Sequence, residues 1–264
     1  MAGLRASLPD CDRQEWPLSA AFEMTSMARY EAPHPKRNSF LSSLSAQDSR
    51  VLLAHGEVTH LKLKRQLYAE NRPVESIYFP IDCVVSILVG SEGSLLEMAT
   101  IGHEGFVGAP ALLDNGGAIG TTIVQLEGKA MRVDMKVFQR AVARRPAIEH
   151  RVKLSLYALI FQIMQSGACH HLHTIEQQCA RWLLLMRDGA GSDTFLLTQE
   201  FLSEIICVRR ASVNLAVGLF RQAGYIRYGR GRVTIVDVPG LESASCSCYK
   251  LVGDQYARLA YTSA

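Results

Sequence analysis

Cysteine and histidine side chains that could bind a metal or respond to oxidation are gathered in two short stretches of the chain. They are Cys169, His170, His171 and His173 in the first stretch and Cys246 and Cys248 in the second. Thiolates and imidazoles are good ligands for transition metals, but neighbouring positions on one regular helix cannot all face a single ion. We therefore expect a solvated helix end or an elbow between domains at 169–173, and no metal site.

The Cys246-x-Cys248 pair could respond to oxidation, yet its spacing is weaker evidence than a C-x-x-C motif. We expect two reduced thiols near a loose tail. The chain has seven cysteines, an odd number that does not suggest a disulfide framework in 264 residues. Their use fits a reducing cytoplasm. They lie at positions 11, 83, 169, 179, 207, 246 and 248.

Motifs that would indicate an enzyme are missing from the sequence. It contains no Gly-x-x-x-x-Gly-Lys phosphate loop, no His-Glu-x-x-His and no Gly-x-Ser-x-Gly. An enzyme that uses a reactive thiol or histidine would also need a basic partner beside it, which the sequence does not reveal. We predict that the protein is not an enzyme and has no catalytic residues.

Positive charge is concentrated in one stretch. The chain has a net charge of +3, but six arginines and no acidic residue lie between Ile205 and Val236, so the remainder carries about −3. A solvated basic face is the simpler explanation of a charge run. The alternative is a surface that binds a polyanion and releases counterions from its phosphates. The six are Arg209, Arg210, Arg221, Arg227, Arg230 and Arg232.

The surrounding pattern favours the second explanation, because 197–220 predicts two helices joined by a tight turn. Thr198 suits an N-cap and Glu200 lies in the first helical turn. Each helix has an apolar face that would be buried against the other. These faces consist of Phe201, Leu202, Ile205 and Ile206 in the first helix and Val213, Ala216, Val217 and Phe220 in the second.

A helix-turn-helix inserts the beginning of its second helix into the major groove of DNA. Arg, Asn and Ser at that position can form hydrogen bonds with base edges, whereas Thr198 and Gln199 on the first helix are placed to meet phosphates. The predicted base-reading residues are Arg209, Arg210, Ser212 and Asn214.

A glycine and a hairpin follow the second helix. Gly224 can end the helix in the left-handed conformation, and residues 225–236 predict two short strands with a glycine-arginine tip. We predict that Arg230 and Arg232 form a basic wing that contacts the DNA backbone.

Upstream of this region, the sequence predicts many short strands with turn signals between them, which is typical of a barrel or roll. A short helix near Ser42 or Ser45 precedes the strands, and the first residues lack the pattern of a secretory signal. No apolar run is long enough to span a membrane. The predicted strands are Val58–Leu63, Ser76–Phe79, Val84–Val89, Leu95–Ile101, Thr121–Leu126 and Ala130–Val133.

A long helix is predicted at Ile148–Cys169. Its apolar residues recur at spacings of four, three and four, as is needed for packing against a partner helix. A core helix within one chain would show the same pattern, but the length of this helix and its place between two domains favour a dimer seam. The seam residues would be Val152, Leu156, Leu159 and Ile163. A second apolar helix is predicted at Gln177–Arg187.

These elements give an α+β protein with five segments. We predict a flexible leader at 1–39, a β-roll sensor domain at 40–146, a dimerisation helix at 147–169, a winged helix-turn-helix at 170–240 and a tail at 241–264.

The DNA-binding motifs resemble those of Crp/Fnr-type bacterial transcription regulators. The resemblance rests on Leu-Thr-Gln-Glu-Phe-Leu (197–202), Val-Arg-Arg-Ala-Ser-Val (208–213), Ala-Gly-Tyr-Ile-Arg-Tyr (223–228) and Gly-Arg-Val-Thr-Ile (231–235). Residues 77–80, 101–108 and the long helix resemble that family's cyclic-nucleotide-binding-like roll and dimerisation helix. The resemblance covers about residues 40–250. It implies a cytoplasmic homodimer that binds double-stranded DNA and acts with RNA polymerase, and whose roll responds to an effector.

The sequence departs from the family in several places. Family members that bind cyclic AMP have a Glu after the Phe-x-Gly step and a later Arg, but this chain has Ala109-Pro110 and no Arg near 119–122. A buried phosphate would lack its partner there, so we expect no binding of cyclic AMP and leave the effector unassigned. The cysteines do not match those of the iron–sulfur members.

The DNA-reading positions also depart from the family. Its Arg-Glu-x-x-x-Arg set matches only at Arg210, and Cys207 stands where a glycine is frequent. The main alternative function is a scaffold whose roll binds a small molecule and whose helices bind protein.

Overall fold

The computed structural model describes residues 37–91, 94–113 and 117–261. The first elements of the described part are two short helices, α1 (Ser39–Ser42) and α2 (Ala46–Leu53). The Ser45 hydroxyl caps α2 by accepting a hydrogen bond from the Asp48 N–H at 3.1 Å, which confirms the predicted helix start. The predicted leader lies mostly outside the described residues. Its last part is fixed, because the buried Asn38 amide donates to the Pro80 and Gly105 carbonyls at 2.9 and 2.7 Å.

In the described residues, seven antiparallel strands form the roll, as two sheets. One sheet has the order β1-β7-β3 and the other β2-β6-β4-β5. The predicted strands are confirmed within two residues at their ends, and β2 was not predicted. The strands are β1 (Gly56–Leu61), β2 (Gln66–Tyr68), β3 (Ser76–Pro80), β4 (Val84–Ser91), β5 (Ser94–Ile101), β6 (Thr121–Leu126) and β7 (Gly128–Asp134).

Aromatic side chains pack together at one end of the core of the roll. Phe40, Phe79, Phe106 and Phe138 have ring centroids 4.8–6.3 Å apart. All four are at most 4% exposed. The helix α3 (Met135–Arg144), which carries Phe138, follows the last strand directly. This packing anchors the start of the helical region to the roll.

The helices α4 (Pro146–Leu172) and α5 (Ile175–Ala190) come next. Proline in the first turn of α4 loses no hydrogen bond, because the first N–H groups of a helix have no intrahelical partner. Between the two helices, Thr174 and Gln177 form a capping box that starts α5. The elbow predicted at 169–173 therefore lies at His173–Thr174.

The C-terminal half contains β8 (Thr194–Leu196), α6 (Gln199–Ile205), α7 (Arg210–Gln222), β9 (Ile226–Gly229) and β10 (Arg232–Ile235). The strands form one small sheet in the order β8-β10-β9. The predicted loose tail is wrong, because it folds as α8 (Val238–Ala244) and α9 (Ser247–Tyr261). The helix α9 packs along α4, and Cys248 and Val252 are buried there.

The C-terminal domain is docked on the roll. Val84, Leu88, Ile123 and Leu126 of the roll share one apolar core with the interior residues of α5, α6 and α7. The backbones meet closely at Gly102, where the neighbouring His103 N–H donates to the Gly189 carbonyl at 3.1 Å. A side chain at Gly102 would overlap the backbone of Gly189. No helix in the described part of the chain is long and apolar enough to cross a membrane.

Candidate DNA-binding site

Two helices at a tight turn form the centre of the site. The turn between α6 and α7 passes through Cys207, whose φ of 52° is in the left-handed region. A glycine, the residue that is frequent at this position in the family, adopts this conformation without strain. A non-glycine residue there costs about 1–2 kcal/mol. The packing of Ile205, Ile206 and Val213, each at most 4% exposed, holds the turn in place.

The supporting helix α6 begins as predicted. The Thr198 hydroxyl accepts a hydrogen bond from the Phe201 N–H at 3.1 Å and caps the helix. Thr198 is exposed and Gln199 half-buried at this end. Phe201 and Leu202 are buried in the shared core. These buried residues hold the beginning of α6 in place, while its N-terminal end remains accessible to a ligand.

The second helix presents the predicted polar residues outward. Arg209 is the N-cap of α7 and makes no capping hydrogen bond with its side chain. Arg209, Arg210 and Asn214 are exposed, and Ser212 is half-buried. The predicted inner face, Val213, Ala216, Val217 and Phe220, is buried to 3% exposure or less.

Apolar residues are also exposed on α7, and sequence reasoning did not include them in the site. Leu215 is 69% and Leu219 53% exposed. Leu215 lies next to Asn214 and one turn after Ala211. Their exposure, which only the structure shows, makes them candidates for the site, since apolar side chains can contact thymine methyl groups in the major groove.

The hairpin β9–β10 forms the wing. Arg230 and Gly231 occupy its tip with φ values of 52° and 68°, as a two-residue turn of this type requires. The Leu197 N–H donates to the Gly231 carbonyl at 2.8 Å, so the tip of the wing is held beside the beginning of α6. Gly224 follows α7 and has a φ of 80°, the left-handed conformation that was predicted.

The arginines of the site do not neutralise acidic groups of the chain. Among the residues that the structure describes, no salt bridge involves any of the six arginines between Ile205 and Val236. All six are exposed. Their charge is therefore available to a polyanion.

Comparisons with known proteins agree with this geometry. Residues 177–244 match the family model of the Crp-like helix-turn-helix domain. This part of the chain is therefore a Crp-like helix-turn-helix domain.

Solved structures of transcription regulators share the fold of this chain at low identity. FixK2 from Bradyrhizobium japonicum is 12% identical with a TM-score of 0.59, over 72% of this chain and 98% of that chain. A CRP-family transcriptional regulator from Thermus thermophilus is 19% identical with a TM-score of 0.58, over 71% and 96%. The c-di-GMP-responsive regulator CLP from Xanthomonas campestris is 13% identical with a TM-score of 0.57, over 72% and 99%. No curated protein matches the chain.

The predicted seam residues of α4 lie in the core of their own chain. Val152, Leu156 and Leu159 are at most 7% exposed in the core of their own chain, and Ile163 packs against the same core. Their assignment to a dimer seam is therefore corrected. The apolar spacing of these residues instead reflects the packing of α4 against the roll. A core helix within one chain is the alternative that the sequence left open.

A different stripe of α4 faces outward. Tyr157, Ile160 and Met164 are 59%, 51% and 71% exposed. Their spacings of three and four place them on one face of the helix. Gly167 continues this face one turn later, with open space around its Cα. Within the described part of the chain, this apolar face of α4 is uncovered, whereas sequence periodicity identified a different face.

The segment of the roll that departs from the cyclic-AMP-binding pattern is apolar in the structure. Gly108 adopts φ 104° and starts a 3-10 turn at Ala109–Leu112. Ala109 and Ala111 are buried in the main core. Residues 109–122 contain neither Lys nor Arg, so this segment offers no side-chain cation to a phosphate.

Proposed function

We propose that this protein is a Crp/Fnr-type transcription regulator that binds a specific operator as a homodimer, with the beginning of α7 in the major groove and the wing on the DNA backbone. The observation that carries the proposal is the outward position of Arg210 and Asn214 on a helix whose opposite face is fully buried. Arg can bond a guanine edge in a bidentate manner, and Asn an adenine edge. Leu215 adds an apolar contact beside them.

The remaining predicted residues position the protein on DNA. Thr198, Gln199, Arg230 and Arg232 lie around the beginning of α6 and the tip of the wing, where we expect them to contact phosphates. These contacts depend on charge and helix ends, so they contribute affinity for any sequence. Arg209 and Ser212 border the base-reading residues at the N-terminal end of α7.

The outward stripe of α4 is the seam that we propose for the dimer. Tyr157, Ile160 and Met164 follow the spacing of a coiled coil, and two such helices would bury faces that water now contacts. A dimer would present two copies of α7 to successive major grooves, and the operator would be a palindrome.

The docking of the DNA-binding domain on β4 and β5 gives a route for a signal. An effector that favours one packing of the roll against α5 and α6 would shift the population of positions that the DNA-binding domain occupies relative to the roll. We expect this effector to differ from cyclic AMP, and we expect no catalytic activity. RNA polymerase remains the expected protein partner in the cytoplasm.

The test is selection of bound DNA from a random library with the purified full-length protein. We expect a palindromic motif. In Arg210→Ala, base preference should weaken at one position of each half-site, with a loss of about 1–3 kcal/mol per half-site. Arg144→Ala removes the same charge from the surface of α3 and should leave the motif unchanged.

Binding should also be repeated at several salt concentrations. Arg230→Ala should weaken binding to all sequences and make the salt dependence shallower by about one unit of slope per lost phosphate contact. If no motif is enriched with or without a cell extract as a source of effector, and Arg210→Ala changes nothing, α7 does not read DNA. The scaffold function would then be favoured.

A further inference from the structure

The elbow between α4 and α5 brings three cysteines and a histidine into one cluster. The ligand atoms are the Sγ atoms of Cys169, Cys246 and Cys248 and a ring nitrogen of His173, and all lie within 4.8 Å of one another. Cys169 and His173 are one helical turn apart at the end of α4. Cys246 and Cys248 begin α9, more than seventy residues later in the chain.

The distances within the cluster suit a shared ion. The Sγ atoms of Cys169 and Cys246 are 3.4 Å apart, and Cys248 Sγ is 3.5 Å from His173 Nδ1. A tetrahedral zinc ion, with Zn–S near 2.3 Å and Zn–N near 2.0 Å, sets its ligand atoms about 3.5–3.8 Å apart. Small shifts of the side chains would satisfy that geometry.

We propose that Cys169, His173, Cys246 and Cys248 form a structural zinc site. Three thiolates and one imidazole are the ligand set of many structural zinc centres, and four protein ligands leave no open position for catalysis. The three cysteines are at most 4% exposed and His173 is half-buried, so the sulfur ligands are shielded from solvent. Sulfur ligands also favour zinc over magnesium or calcium.

Two neighbouring side chains would stabilise negatively charged sulfur in the cluster, whereas the hydrogen bond with Cys246 and burial raise the pKa of the Cys169 thiol. The Gln165 amide donates to Cys248 Sγ at 3.1 Å, an outer contact that would hold a ligand in place. The guanidinium of Arg181 is 4% exposed and acts electrostatically on Cys169 and Cys246. Among the described residues, its Nε and Nη1 atoms have no hydrogen-bond partner. Zinc with three thiolates and a neutral imidazole has a net charge of −1, which this cation would balance.

The sequence-based argument against a metal concerned neighbouring histidines, and the structure does not use them together. His171 is exposed, and the His170 ring lies within hydrogen-bond distance of Gln178 and the Glu97 carbonyl. Only His173 joins the cluster, and the other ligands come from the C-terminal segment. The proposed ion would tie α9 to the end of α4 and fix the elbow from which the DNA-binding domain extends.

The experiment measures the metal content of the full-length protein, purified without an affinity tag or chelator, by mass spectrometry. We expect one zinc ion per chain. Replacement by Co²⁺ should give the visible bands of tetrahedral cobalt together with sulfur-to-cobalt charge transfer. Cys248→Ser should lose zinc to a chelator at least tenfold more readily than the wild type, whereas Cys207→Ser, outside the cluster, should retain it.

A variant with a different metal-binding side chain at position 248 keeps the test valid if Cys248→Ser misfolds. If Cys248→Ser does not fold, Cys248→His should fold and bind cobalt with weaker charge transfer, because one sulfur has been replaced by nitrogen. A wild-type protein that neither contains zinc nor binds added cobalt would overturn the proposal. A disulfide between Cys169 and Cys246 in the freshly purified protein would also overturn it, as would unchanged zinc binding in Cys248→Ser. None of these readings depends on DNA binding.

Discussion

The carboxyl group of Glu97 is buried in the sheet β2-β6-β4-β5, and Glu97→Gln should change how stability depends on pH. Glu97 is 5% exposed. Burial raises the pKa of Glu97 from 4.5 to about 7, although a hydrogen bond from the Ser86 hydroxyl at 2.5 Å and the charge of Arg181 act in the opposite direction. The folded chain therefore holds a proton on Glu97 that the unfolded chain releases near pH 4.5.

The sign and size of the effect follow from this difference. Below pH 4.5 both states are protonated and the group has no effect. As the pH rises from 4.5 to 7, Glu97 ionises only in the unfolded state. This ionisation stabilises the unfolded state, so the free energy of unfolding falls. A difference of about 2.5 pKa units corresponds to about 3 kcal/mol. Glutamine is nearly isosteric and does not ionise, so Glu97→Gln should remove this loss.

The assay is chemical denaturation of wild type and variant at pH values from 5 to 8. The difference in free energy of unfolding between the two proteins should grow with pH in favour of Glu97→Gln, by up to about 3 kcal/mol. All ionisable groups other than Glu97 are the same in both proteins, so their contributions cancel in the difference. Glu127→Gln, on the surface, controls for the loss of one charge. A difference that stays constant across the range would refute the argument.

Two further changes test the turn and the proposed seam. Cys207→Gly removes the strain of a left-handed non-glycine residue and should raise the thermal midpoint, measured by circular dichroism, by about 1–3 °C. The rise is small because about 1 kcal/mol of relieved strain is partly offset by the greater freedom of glycine in the unfolded chain. A lower midpoint would contradict this. Ile160→Glu should shift the protein from dimer to monomer in sedimentation, because two charges would be buried in the seam, whereas Ile119→Glu on the exposed roll should not. Dimers that persist in Ile160→Glu would place the interface elsewhere.

Much of the site could be predicted because its signals are local. The Thr198 cap, the buried residues from Phe201 to Phe220 and the left-handed Gly224 depend on neighbours within a few positions, so their spacing determines their structure. The same holds for the strands of the roll. Exposure of Leu215 could not be inferred, because a leucine in a helical pattern is more often buried than outward-facing.

Features that depend on distant contacts were decided by the tertiary structure. The apolar spacing at Val152 and Leu159 fits either a partner helix or a core, and only the position of the roll against α4 shows which face is buried. The tail folds as a helix because α4 offers it a surface. Cys169 and Cys246 are 77 positions apart, and no periodicity links residues across that distance. The sequence by itself thus determined the helix-turn-helix and its charge, whereas the fold decided which face of α4 remains open and which side chains meet at the elbow.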